Sequence, residues 1–166
     1  MKKNCTYSTT GLNIACWNVR NMLESCESNC PQSRSVLIAH ELSRLNIDIA
    51  ALSEVRLPDE GNLKEQGAEY TLYWSGKPST ERHLSGVGFM VRTSIASKLE
   101  SLPTGHSDWI ISMRLLLKNQ QHVTLFSTYQ PFRQILLIKI DFILISQTPS
   151  WHPSWWQSHS PRRFQC

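Results

Sequence analysis

The sequence predicts a layered α/β fold, a mixed β-sheet with helices packed on its face. Three observations carry that prediction. Hydrophobic residues make up 40% of the 166 residues, enough to bury one domain's core. The patterns run strand, helix, strand, and then a long meander of strands and turns. Three of the apolar runs end on a polar residue rather than fading into a loop, as strands that lead into a site do.

Residues 12–19 alternate apolar with small or polar residues at period two, the pattern of a half-buried strand. A polar loop follows, from Arg20 to Ser33. Val36, Leu37, His40, Glu41, Arg44 and Leu45 then fall at helical spacing, with Ser33 or Ser35 as the cap. The short apolar run 47–52 reads as a central strand that ends at Ser53 and Glu54. Residues 58–67 read as a loop punctuated by Gly61 and Gly67. Further strands are predicted over 70–74, 86–92, 109–117 and 122–129, with Arg82 and His83 at the tip of a polar loop between the first two.

Charge and cysteine content exclude several classes. The formal net charge is +4, but residues 130–166 hold four basic residues and one acid, so the first 129 residues are almost neutral and bulk charge does not single out nucleic acid. Five cysteines, Cys5, Cys16, Cys26, Cys30 and Cys166, with no secretory leader, argue for thiols rather than disulfides. Cys26 and Cys30 could form half of a zinc site. No second pair stands at ligand spacing, so loop thiols are the better reading. No apolar run approaches the length of a membrane span, which predicts an intracellular protein without signal peptide or transmembrane segment.

The strand ends are where the residues become specific. Asn18 closes the first strand, Glu54 the second and Tyr129 the last. Singly, Asn18 can turn the chain, Glu54 can pair with Arg56 at the surface, and Tyr129 can be a rim aromatic. Together they could converge on one hydrated ion, since a carboxylate beside an amide oxygen suits Mg²⁺.

Five ordered blocks carry a resemblance: residues 14–21, 45–57, 73–76, 86–91 and 125–129. Over residues 11–129 the chain resembles the endonuclease/exonuclease/phosphatase superfamily, the DNase I-like fold. Within it the blocks look most like the endonucleases of non-LTR (LINE, RTE-type) retrotransposons. The resemblance implies an incomplete DNase I-like layered sandwich and Mg²⁺-dependent (or Mn²⁺-dependent) nicking of DNA in the nucleus, with no small-molecule cofactor and no membrane partner. It places Asn18 beside the metal and scissile phosphate, makes Glu54 the metal carboxylate, and matches Tyr129 to a phosphate-contacting tyrosine. Arg20, Arg56, Lys77 and Arg82, in or after strand-end loops, could meet the DNA backbone. A family phosphatase acting on a small substrate is the neighbouring possibility.

The family also uses a Gly-Asp-x-Asn strand end and a late Asp-His pair, and neither occurs in residues 130–166. The tail is odd in itself, with Trp151, Trp155 and Trp156 set among prolines. The genetic code suggests why. Codons for residues 157–166, read one base later, can spell KVILLGDFNA, an apolar strand followed by the missing motif. Codons for residues 133–146, read one base earlier, can spell the polar segment ADPADKDRFYSDL. Two frame slips, one near Tyr129 and one between about residues 146 and 157, reconcile both segments. The expected organisation is thus an N-terminal tail over 1–10, a partial endonuclease domain over 11–129, and a frame-shifted tail over 130–166 without consistent packing. Metal would be held weakly if at all, because a single carboxylate is a poor Mg²⁺ site. The rival reading is a non-catalytic module that binds nucleic acid or protein through the Trp-rich tail with Arg162 and Arg163.

Overall fold

A computed structural model describes residues 5–9, 11–22, 34–65, 67, 69–82, 84–117, 122–130, 133–141 and 162–165. In chain order the elements are β1 (Cys5–Thr9), β2 (Leu12–Asn18), α1 (Arg34–Arg44), β3 (Ile49–Ser53), β4 (Glu60–Lys64), β5 (Tyr70–Ser75) and β6 (Val87–Arg92). They continue with α2 (Thr93–Ala96), β7 (Thr104–Ser107), β8 (Ile110–Leu116), β9 (His122–Gln130), β10 (Arg133–Asp141) and β11 (Arg162–Gln165). The fold is mixed α/β, dominated by strands in two sheets. One sheet has the order β1-β2-β3-β6-β5-β4 and the other β11-β10-β9-β8-β7. Among the described residues only β2 and β3 pair in parallel, as the intervening α1 crossover requires.

Side-chain alternation explains the layering. Ile14 and Cys16 of β2, Ile49 and Ala51 of β3, and Val87, Phe89 and Val91 of β6 face the second sheet. There they meet Ile111, Met113 and Leu115 of β8 and Val123 and Leu125 of β9. The residues between them, Ala15, Ala50, Leu52 and Met90, pack with Ala39 and Leu42 of α1 in a second core. The first sheet is therefore covered on both faces, which is why 49–52 is a continuous apolar run. β8 is covered on one face only: Ile110, Arg114 and Leu116 point outward and are exposed.

Several expectations need correction. The helix forms, but its buried face is Ser35, Ala39 and Leu42, while Leu37 and Leu45 are exposed. Ala39 and Leu42 pack into the helix-side core, and the Ser35 hydroxyl donates to Glu65. Residues 60–64, expected as loop, form edge strand β4, whose Gly61 lies against the Trp74 ring across the ladder. β7 and α2 were not anticipated. The N-terminal tail includes β1, paired with β2 from Cys5↔Cys16 to Thr9↔Leu12. Beyond Tyr129 the backbone of β10 pairs with β9 along its whole length, and β11 pairs with β10. A tail without consistent packing was expected there. Backbone ladders nonetheless form over 133–141 and 162–165, the first of them an Ile-rich run with high strand propensity. Residues 142–161, with the Trp cluster, and the Cys26–Cys30 spacing lie outside the described residues.

Opposite the strand ends of interest, Asp48 fastens the first sheet. It accepts from the Asn13 backbone N–H at 2.9 Å and pairs with Arg92 Nε at 3.1 Å, joining β2, β3 and β6. No helix is long and apolar enough to cross a membrane, among the described residues.

Candidate functional site

Parallel pairing sets Asn18 opposite Ser53, so β2 and β3 end side by side, with Glu54 one residue beyond. The chain then takes an unusual course. Glu54 (φ 56°) and Arg56 (φ 58°) both adopt the left-handed conformation, and so does Arg20 (φ 63°). Each costs a non-glycine residue about 1–2 kcal/mol, and such outliers gather at functional sites. Val55 between them is fully buried in the helix-side core, and its N–H donates to Gly86 O at 3.1 Å. The Arg56 N–H donates to Ser85 O at 3.0 Å. Gly86 is required here: its φ is 118°, and a Cβ would stand 3.0 Å from the Arg56 nitrogen. The anchored valine presents its two neighbours together, and Arg56 Nη2 lies 3.0 Å from Glu54 Oε2.

The other carboxylate oxygen gathers residues from both sheets. Asn18 Nδ2 donates to Glu54 Oε1 at 2.7 Å, and the Tyr129 hydroxyl, from β9 of the second sheet, donates to the same oxygen at 2.8 Å. The Asn18 amide is held from behind, because its Oδ1 accepts the Arg20 backbone N–H at 3.0 Å. Tyr129 is stacked on Trp109, with ring centroids 5.6 Å apart and planes 7° from parallel. The structure thus brings Asn18, Glu54, Tyr129 and Arg56 into one cluster, with Arg20 joined through its backbone. Lys77 instead pairs with Glu81 at 3.0 Å, and Arg82 is exposed.

Electrostatics settles the protonation states. Burial works to raise the Glu54 pKa, but hydrogen bonds from Asn18, Tyr129 and Arg56, with the Arg56 charge, outweigh it and hold the carboxyl below its ordinary value. Burial first, and then the bond to and charge of Glu54, push the Tyr129 hydroxyl above its ordinary value, against the pull of Arg56. At neutral pH the pair is a carboxylate and a phenol. A depressed folded-state pKa stabilises the fold above the ordinary glutamate range, near pH 4.3, and that contribution fades as pH falls through the lowered value. Glu54→Gln should therefore flatten the acid limb of stability below about pH 5. Urea midpoints of both proteins measured from pH 7 to pH 3 check this, and parallel curves would contradict it.

The cluster does not fit a resident hard cation. Hydrogen-bond donors occupy both Glu54 oxygens, and the Asn18 amide turns its nitrogen, not its oxygen, toward the carboxylate. Among the described residues no group of three His, Cys, Asp or Glu is placed to hold a metal. His106 bonds to Ser112 and His122 to Glu100, so neither attends Glu54. What remains is a fixed anion neutralised by a guanidinium that is one-third exposed, in a notch between two sheets.

One contributor escaped the sequence, and one was read in part. Arg56 read as a partner of Glu54 or a DNA contact, and the ion pair forms, but its left-handed backbone was not foreseen. Trp109 read only as the start of a strand; its place in the Asp108-Trp109 turn directly before β8 was the available signal. The chain matches no protein-family model, no curated protein and no solved structure in comparisons with each.

Proposed function

We propose that the chain is a retrotransposon-derived endonuclease domain, ancestrally a Mg²⁺-dependent phosphodiester hydrolase that nicked DNA, now catalytically impaired. One observation supports this above the others: three polar strand-end residues from three strands and two sheets, Asn18, Glu54 and Tyr129, meet on one carboxylate held in strained backbone. A merely structural Glu would not need a left-handed turn and three converging partners. The proposed impairment is supported by the partners of Glu54: among the described residues they are Asn18, Tyr129 and Arg56, with no second carboxylate or His beside it to orient water or protonate a leaving oxygen. The tail is proposed to be frame-shifted, and the coding nucleotides decide that directly. The rival Trp-tail module rests on residues 151–156, outside the described residues.

In this reading the cluster retains the phosphate-facing half of its chemistry. Arg56 and Arg20 would meet the DNA backbone, and Glu54 would aim Arg56 by its ion pair. Arg56→Ala should weaken binding of a labelled oligonucleotide in EDTA about equally across sequences, and should lower the salt slope by roughly one. Binding that is unchanged in affinity and salt dependence would sink the phosphodiester reading.

A further inference from the structure

We propose that Trp109 is a stacking platform for an unpaired nucleobase beside the Glu54 cluster, so that this site takes single-stranded rather than fully paired nucleic acid. The proposal rests on the phosphodiester reading above and names its substrate class.

Trp109 is a half-buried indole that belongs to neither apolar core. A tryptophan placed for stability would be expected to join one of them. Instead one face lies parallel on Tyr129, the residue whose hydroxyl reaches Glu54. The other face meets no ring among the described residues.

The backbone that carries the indole is also fixed, as a platform requires. The Tyr129 N–H donates to Trp109 O at 3.0 Å, and the Trp109 N–H donates to Ser107 Oγ at 3.2 Å. Next to it, Asp108 accepts from Ser85 Oγ and from the Gly86 N–H, which ties the turn to the same segment that accepts the Arg56 N–H. Trp109 and Arg56 are thereby locked to one another through Ser85 and Gly86. A strand whose phosphate met Arg56 would carry an adjacent base toward the indole. Only a base freed from its own stack can lay a face on it. Any base would serve, since each has a π-face.

Fluorescence anisotropy of the full chain with a labelled twelve-residue oligo-dT, in EDTA at low salt, tests this. Trp109→Leu should weaken binding about tenfold, Trp109→Phe should stay within about threefold of the parent, and a blunt duplex of equal length should bind all three alike. Replacing the bases of the oligomer by abasic units should cost the parent chain a similar factor, a comparison that involves no variant. Unchanged binding by Trp109→Leu, or no loss with the abasic oligomer, overturns the proposal. If Arg56→Ala still weakens binding in that case, the phosphodiester reading stands without the platform. If neither variant changes binding, both fall.

Discussion

In Mg²⁺ the purified chain should nick supercoiled plasmid at no more than the background rate. Glu54 is one carboxylate with both oxygens engaged, and Mg²⁺ sites recruit further carboxylates or substrate phosphate. Beyond Glu54 itself and the Tyr129 hydroxyl that bonds it, no described residue of the cluster can take a proton from water or give one to a leaving oxygen, and the loss of a dedicated base or acid typically costs about 10²–10⁴-fold for each group. Restoring both reading frames, and extending the chain through an Asp-His motif, should recover nicking; Glu54→Ala in that restored protein should abolish it. Robust Glu54-dependent nicking by the 166-residue chain as it stands would show that the cluster is sufficient, and the proposed impairment would be wrong.

The second large effect is on stability. Phe89 lies in the middle of β6, fully buried, on the face that meets the second sheet. Phe89→Ala should cost roughly 3–5 kcal/mol, because it removes the ring and leaves a cavity between two sheets that can close it only by shifting. That is a large share of the 5–15 kcal/mol typical of a whole domain. The site should loosen with it, since Tyr129 reaches Glu54 only while the sheets stay in register. Chemical denaturation of the parent and variant measures the loss, and a change under about 1 kcal/mol would mean that the sheets are not packed as described.

The central strands were legible because burial writes itself into sequence. A strand covered on both faces must be apolar nearly throughout, as in residues 49–52, and one covered on a single face must alternate, as in β8. Glu60–Lys64 was not legible because an edge strand that exposes most of its side chains needs no apolar residues, only a partner for its backbone. The helix was legible but its face was not: two of its three buried residues, Ser35 and Ala39, are small, and the larger Leu37 and Leu45 are exposed, so hydrophobicity does not mark the buried side. Asn18 and Glu54 stood out as polar residues ending apolar runs. Arg56 and Trp109 did not, because their roles depend on left-handed backbone and on a turn, neither of which leaves a periodic trace.

The pairing of β10 with β9, from Arg133↔Gln130 to Asp141↔His122, has a consequence for how such a chain survives in a cell. Without it β9 would offer a nine-residue row of unpaired amides and carbonyls, a template on which a second copy could assemble. A ladder is made from groups that every residue except proline carries, and it is indifferent to the message that specified the side chains. On the frame-slip proposal, an accidental run of isoleucine and leucine serves as a stopper. On that proposal the altered frame covers the long edge of β9 and leaves the shorter β11 at the margin of the sheet.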